Sequence, residues 1–226
     1  MALQSQGVLL RRASSVSVNT TATQGFNLTT AGGTAKINAT FAAANFTVTG
    51  FTTGMRIKVN STKDGYEYLY TAKAVAATVI DVHEMFATGV NATNIGFTGY
   101  TMETIGDVVG WNGPGMSMPM ADITNLSNTA KNKLPVGAYD GGQVTIDFNF
   151  DIEATARQML IQKDLRARTA RYYDIVFTDV GAATVGSYCA FQAYPSGYSI
   201  QGSVDNPIKG SITLDISGVV QYTTRR

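Results

Sequence analysis

Two short segments alternate strictly between apolar and polar residues, and this limits the possible folds more than any other feature. In residues 143–150 every even position is apolar and every odd one polar, and residues 211–217 repeat the pattern. Successive side chains of a β-strand point to opposite faces, so such a strand has one face for a core and one for water. The sequence therefore predicts an antiparallel sheet that is solvated on one side.

The composition indicates a folded protein without catalytic machinery. Of the 226 residues, 44% are hydrophobic and 15% charged, and the net charge is +1. This is too apolar for a disordered chain and too neutral for a strongly basic nucleic-acid binder. A single cysteine, Cys189, and a single histidine, His83, argue against a disulfide framework and a multi-histidine metal site. Since nucleophile-elbow and phosphate-loop motifs are also missing, we predict no enzyme, cofactor or metal.

Cys189 lies in an apolar-rich segment, where a small buried residue is favoured over a nucleophile. His83 has acidic neighbours, but a surface strand position is favoured over a metal site. The N-terminus lacks the pattern of a signal peptide, and no apolar stretch approaches the ~20 residues that span a bilayer. We therefore expect no association with a membrane.

The first half of the chain contains a candidate inserted domain. Segments 46–49, 55–59, 67–71 and 78–82 have strand-like composition, and Gly- and Asn-rich segments 24–33 and 89–99 look like flanking linkers. We predict a main domain of residues 1–12 and 102–226, and an inserted β subdomain of residues 13–101 on the outer surface. A small core is favoured over a receptor- or glycan-binding face for the phenylalanines Phe41, Phe46 and Phe51.

One segment has the composition of a helix. Residues 152–168 contain no glycine or proline and consist of good helix formers. Asp151 is placed to cap the start. The predicted buried side consists of Ile152, Ala156, Met159 and Leu160. Three acids have no visible partner in the sequence: Asp164, Asp174 and Asp179.

A long connection between two predicted strands covers residues 111–142, with glycine and proline at both ends. Connections of this length without secondary structure are usually functional. Met116, Met118 and Met120 alternate with Ser117 and Pro119 in it. A soft-metal site is conceivable for three methionines, but flexible apolar residues buried at a contact are favoured.

An ordered series of motifs resembles the major tail tube proteins of long-tailed bacteriophages. The resemblance covers about residues 3–12 and 102–223, and its specificity lies in the order rather than in any single motif. After an opening strand at residues 5–10, the series runs through Ile105-Gly106-Asp107-Val108, Gly113-Pro114-Gly115, Asp122-Ile123-Thr124-Asn125-Leu126, Leu134-Pro135-Val136-Gly137 and Asp140-Gly141-Gly142. It continues with the strand ending Asn149-Phe150-Asp151, the helix, two further strands and Leu214-Asp215-Ile216-Ser217-Gly218-Val219-Val220.

The resemblance implies a β-sandwich or half-barrel with one flanking helix, a fold shared with type VI secretion tubes. It implies six subunits in a ring, stacked rings, and inner sheets that join into a β-barrel around a channel for genomic double-stranded DNA. It also implies three further partners, namely the tape measure, tail terminator and baseplate hub proteins. The expected location is the tail of a virion, assembled in the host cytoplasm.

A channel that lets DNA slide should avoid lysine and arginine on its wall, because cations bind phosphates. The polar faces of the two alternating segments contain no cation. We therefore predict an acidic, lumen-lining set of Thr145, Asp147, Asn149, Thr213, Asp215 and Ser217. As in the family, the loop is predicted to contact the adjacent ring through Met116, Met118, Met120, Asp122, Asn125, Leu126, Lys131, Lys133 and Leu134.

Two alternatives remain open from the sequence. One is the tube subunit of a contractile or secretion-type injection machine, through which no DNA passes. The other, of a different class, is a secreted β-sandwich module that binds carbohydrate, to which aromatic, Asn- and Thr-rich strands point.

Overall fold

The computed structural model describes residues 8–22, 25–31, 34–40, 46–47, 50–60, 69–84, 91–92, 95–106, 108–124, 129–150, 155–177, 187–202 and 207–223. Within these ranges the chain forms antiparallel strands and one helix, α1 (Thr155–Ala167). The strands are β1 (Val8–Ala22), β2 (Gly25–Ala31), β3 (Thr34–Thr40), β4 (Arg56–Asn60), β5 (Leu69–Val75), β6 (Val79–Val82), β7 (Asn91–Ala92), β8 (Ile95–Thr104), β9 (Val108–Asn112), β10 (Met120–Asp122), β11 (Lys133–Pro135), β12 (Gln143–Asn149), β13 (Arg171–Phe177), β14 (Tyr188–Gln201), β15 (Lys209–Ile216) and β16 (Gln221–Thr223). The predicted fold class, mainly β and antiparallel with one helix, is confirmed. In the described part of the chain, no helix is long and apolar enough to cross a membrane.

The chain divides into two compact units. Unit 1 contains residues 1–105, 172–190 and 221–226, and unit 2 contains residues 106–171 and 191–220. The segments predicted as linkers, 24–33 and 89–99, instead contain β2, β7 and the start of β8. The domain boundaries at residues 12/13 and 101/102, and the outer position of residues 13–101, stay predictions.

Unit 1 has a small aromatic core of its own. Phe46 packs edge-on against Phe51 and Phe97, with ring centroids 5.4 and 5.1 Å apart. All three are buried. Phe46 and Phe51 therefore form a core, as predicted, and Phe41 lies outside the described residues. The strand predicted at residues 46–49 is wrong for residues 46 and 47, which lie in a turn. Residues 48 and 49 lie outside the described residues.

A buried ion cluster, which we define as Arg11, Arg56, Glu84 and Asp174, connects distant parts of unit 1. Arg11 donates from Nε and Nη2 to the two Asp174 oxygens, at 2.8 and 2.6 Å. Arg56 Nε donates to Asp174 Oδ2 at 2.9 Å, and Arg56 Nη1 lies 3.6 Å from Glu84 Oε1. All four residues are buried. The cluster therefore links β1, β4 and β13 to Glu84, which lies two residues beyond the end of β6, through paired opposite charges.

Uncharged groups complete this cluster. Tyr188 donates its hydroxyl to Glu84 Oε1 at 2.9 Å, and Thr71 donates its backbone N–H to Glu84 Oε2 at 2.7 Å. The Arg56 guanidinium lies 3.7 Å from the centre of the Tyr188 ring. Burial alone would lower the pKa of Arg56, but the negative charges on Asp174 and Glu84 raise it above its ordinary value. Arg56 is therefore held in its charged form.

The helix of unit 2 buries a different side from the predicted one. Gln158, Ile161 and Asp164 are buried at helical spacing, whereas Met159 is 52% exposed. Asp164 Oδ1 lies 3.4 Å from Arg171 Nε. The prediction of the buried side from apolar spacing was wrong because two of the buried side chains, Gln158 and Asp164, are polar. The capping position, Asp151, lies outside the described residues, as does Ile152.

Candidate functional site

Within unit 2, strands β9, β12, β15 and the unit 2 part of β14 are neighbours in one sheet, and they have two different faces. In β12, Val144, Ile146 and Phe148 are buried. Their partners in β15 include Leu214 and Ile212, opposite Val144 and Ile146. Residues directly opposite each other share a face. The apolar face predicted from the alternation is therefore present.

A glycine lets an aromatic ring cover this apolar face. Gly210 lies opposite Phe148 in the register of β12 and β15. A Cβ atom at position 210 would lie 2.2 Å from the ζ carbon of Phe148, a distance no real contact reaches. Glycine at 210 is therefore required for the ring to occupy its place over β15.

The other face brings together five of the six residues predicted to line a channel. Thr145 lies opposite Thr213, Asp147 opposite Ser211, and Gln143 opposite Asp215. Asn149 ends the same row on β12. Asp147 and Gln143 are exposed, and Thr145, Asn149, Thr213 and Asp215 are half-buried. The sixth, Ser217, follows the end of β15 and donates its backbone N–H to Gln192 O at 2.8 Å.

The polar face also contains a cation that the sequence pattern did not show. Strand β15 begins at Lys209, two residues before the alternating segment, and Lys209 lies opposite Asn149 and Gln201. Lys209 is exposed. The face thus combines Asp147, Asp215 and Lys209, which gives two negative charges and one positive. It is less acidic than predicted, because the strand extends beyond the segment from which the prediction was made.

The long connection is not a loop without structure, because its described residues, 116–124 and 129–140, pair as an antiparallel ladder, which we call the arm. Strands β10 and β11 pair with Met120 opposite Pro135 and Asp122 opposite Lys133. At the base, Ser117 and Asp140 exchange two backbone hydrogen bonds of 3.0 and 2.9 Å. Beyond β10, Ile123 N donates to Asn132 O at 2.9 Å. The backbone of the arm is therefore ordered by its own ladder.

The arm exposes apolar side chains on both faces. Met120 is 53% exposed on one face, and Leu134 and Ile123 are 51% and 54% exposed on the other. The remaining exposed large apolar residues of the arm are Met116, Met118, Val136 and Tyr139. So many exposed apolar side chains close together on one hairpin indicate an interaction surface. Of the residues predicted for the contact, Lys131 and Lys133 are exposed too, and Asn125 and Leu126 lie outside the described residues.

Strand β9 is the last strand of the described sheet, and its outer edge is not paired in the strand order. Trp111, opposite Ile146, and Val109, beside a register shift, are exposed on it. An edge strand offers unpaired N–H and C=O groups to another strand. Strand β9 can therefore accept a neighbouring chain.

The described part of the chain contains no cluster of side chains that could bind a metal ion. Groups of three or more His, Cys, Asp and Glu side chains that could hold a metal do not occur there. Cys189 is buried and free, as predicted, and burial raises the pKa of its thiol to about 11. A thiol with that pKa stays protonated and unreactive near neutral pH. His83 is half-buried, and its backbone N–H donates to Thr71 O at 3.2 Å.

The chain is similar to known proteins at the level of solved structures. No protein-family model matches the chain. No curated protein matches it either. Among solved structures, the chain is similar to a chain from the "tail of empty GTA particle", which has C6 symmetry. The TM-score is 0.43 at 12% identity, and the match covers 54% of this chain and 87% of that one.

Proposed function

We propose that this chain is the structural subunit of a phage tail tube, in which six copies form a ring and rings stack around a channel for double-stranded DNA. The observation that carries the proposal is the sheet of unit 2, which has one buried apolar face and one solvated polar face. A sheet of this kind can form the wall of a water-filled barrel once its edges are paired. The ordered tail-tube motifs lie in the same part of the sequence.

Two further features support assembly. The open edge of β9, with Trp111 and Val109 exposed, can pair with a strand of the next copy in a ring, and ring closure removes the hazard of an open edge. The arm has apolar side chains on both faces, which a monomer would leave in water. We assign the arm to the contact between stacked rings.

The proposal is tested by negative-stain microscopy of the purified protein at high concentration. Tubes or stacked rings with a central channel are expected. A protein that stays monomeric and forms featureless particles at every concentration would contradict the proposal. A secreted carbohydrate-binding module would give that result together with binding to a glycan array.

Reversing the charge of the polar face is expected to block DNA without blocking assembly. The double change Asp147→Lys with Asp215→Lys converts two negative charges and one positive into three positive charges in each subunit. Such a wall would bind phosphates and release counterions instead of letting the DNA slide. Particles built from this variant should have normal tails but release DNA slowly or not at all, measured by plaque formation and the rate of DNA release.

The matched control is Asp147→Asn with Asp215→Asn, which removes the same carboxylates and adds no cations. Its DNA release should stay within a few-fold of normal. Unchanged infectivity of the lysine variant would count against a lumenal position of these residues.

A further inference from the structure

A hollow on the polar face of the unit 2 sheet brings several hydrogen-bond donors together. It has a volume of about 560 Å³ and its lining residues come from β9, β12, β15 and β14. Ser211 lies opposite Ser199 in the register of β15 and β14, and Lys209 lies opposite Gln201 in the next row of the same face. All four side chains line the hollow. Each offers an N–H or O–H group, and the lysine adds a positive charge.

These four donors are available to a ligand. Within the described part of the chain, their side chains make no hydrogen bond or ion pair. Lys209, Ser199 and Gln201 are exposed, and Ser211 is half-buried. An ammonium group surrounded by hydroxyl and amide donors is a set from which phosphate oxygens accept hydrogen bonds. The hollow can therefore bind a phosphate group.

The hollow also contains a carboxylate, which lies apart from the lysine. A Cβ atom added to Gly110 would be 3.9 Å from Asp147 Oδ2, so the carboxylate lies beside β9. Strand β15, with Lys209, lies on the other side of β12. Asp147 and Lys209 are diagonal neighbours across the two strands, about 7–8 Å apart at the backbone and within one Debye length. The carboxylate therefore weakens the attraction for an anion without removing it.

We propose that Lys209 and the three donors beside it form a contact point for the phosphate groups of double-stranded DNA in the channel. This inference rests on the proposed function and adds to it a residue that binds the DNA. Lys209 and Asp215 are six positions apart on β15, about 20 Å at ~3.3 Å per residue, so this cation and this acid lie at opposite ends of the face. Because DNA carries a charge about every 1.7 Å, phosphates face the lysine throughout the passage of the DNA. The contact slows the DNA without stopping it.

Binding of a short, fluorescently labelled DNA duplex to tubes of the purified protein measures the contact. Each lysine–phosphate contact weakens about 3.5-fold when salt rises from ~50 to ~200 mM, because the logarithmic slope is about 0.9 per contact. Lys209→Gln should bind the duplex more weakly at the lower salt, and its loss of affinity with salt should be smaller than the wild-type loss by at least that factor. Lys209→Arg keeps the charge and the affinity for phosphate, and should stay within about twofold of the wild type.

Two further variants locate the effect on the polar face. Asp147→Asn removes the neighbouring carboxylate and should strengthen binding of the duplex. Lys163→Gln removes an equal charge from an exposed position of α1, and should change neither the affinity nor its dependence on salt. All the changed positions are exposed, so the variants should fold, and negative-stain microscopy of each preparation verifies that it contains tubes.

The rate of DNA release gives a second measurement. Particles with Lys209→Gln should release their DNA at least about twofold faster than wild-type particles at ~50 mM salt, because one phosphate contact in each subunit is lost. The difference should shrink at ~200 mM, where salt screens the lysine in the wild-type particles as well. Equal rates at both salt concentrations would contradict the contact.

The outcomes separate this inference from the proposed function. Lys209→Gln tubes that bind the duplex as wild-type tubes do, at both salt concentrations, would overturn the phosphate contact while the tube proposal stands. A loss of affinity for Lys163→Gln as large as that for Lys209→Gln would overturn it too, since the DNA would then lie on another surface. Failure of the wild-type protein to form tubes would refute the proposed function, and this inference with it.

Discussion

Replacing Asp174 with alanine is expected to cost about 3–5 kcal/mol of the free energy of unfolding, the range found when one partner of a buried ion pair is removed. Asp174 accepts hydrogen bonds from both Arg11 and Arg56, and all three side chains are buried. The substitution leaves two guanidinium groups without this carboxylate in a place where water cannot replace it. Since whole domains are stable by only ~5–15 kcal/mol, the loss should be plain in a urea or guanidinium titration.

Two variants make this measurement specific. Asp174→Asn keeps the size of the side chain and removes the charge, so it should also destabilise the protein strongly. Asp147→Asn removes an exposed carboxylate and should change the stability by no more than ~0.5 kcal/mol. A loss below ~1 kcal/mol for Asp174→Ala would mean that the ion cluster does not hold β1, β4 and β13 together.

Deleting residues 125–133 is expected to leave soluble monomers or single rings. The deletion removes described residues 129–133 of the arm together with residues 125–128, and it includes Lys133, which lies opposite Asp122 in the ladder. The described residues of the arm are almost all exposed and lie outside the buried clusters. The variant should therefore fold and unfold like the wild-type protein while losing ring stacking, which sedimentation velocity and negative-stain microscopy would measure.

The control replaces the same nine positions with a glycine–serine linker of equal length. If ring stacking requires the side chains at these positions and not only a connection of this length, this variant should also fail to stack. Tubes of normal length from the deletion variant would refute the assignment of the arm to the contact between rings.

The alternation of apolar and polar residues was enough to predict the sheet of unit 2. The pattern of residues 143–149 became the exposed and buried sides of β12, and the register with β15 placed Thr145 beside Thr213. Both results depend on a period of two along the chain, which is local information. Lys209 was missed because Pro207 and Ile208 precede it in a segment without alternation, so the start of the strand was not visible.

Features that depend on distant residues were not predictable. Asp174 and Asp164 looked like isolated acids, and the structure pairs them with Arg11 and Arg171. Asp179 lies outside the described residues. Arg11 and Asp174 are 163 positions apart, so no spacing rule connects them. The helix existed as predicted, but its buried side contains Gln158 and Asp164, which an apolar pattern cannot show.

The arm shows the limit of reading glycine and proline as signs of an unstructured loop. Its ladder pairs Met120 with Pro135 and Ser117 with Asp140. Apart from the methionines at 116, 118 and 120, this connection has no regular alternation of apolar and polar residues. Strands β10 and β11 have only three residues each, too few to give a period. What the sequence did indicate was the run of methionines, and their exposure fits the predicted contact surface.

The arm leaves the unit 2 sheet at one end only, between the end of β9 at Asn112 and the start of β12 at Gln143, and this has a consequence for growth. In a stack whose rings contact each other through the arms, as proposed above, one tip displays free arms and the other displays only the surface that receives them. The two tips would then add subunits at different rates. A factor that begins the polymer and one that stops it would need opposite shapes, so neither could take the place of the other.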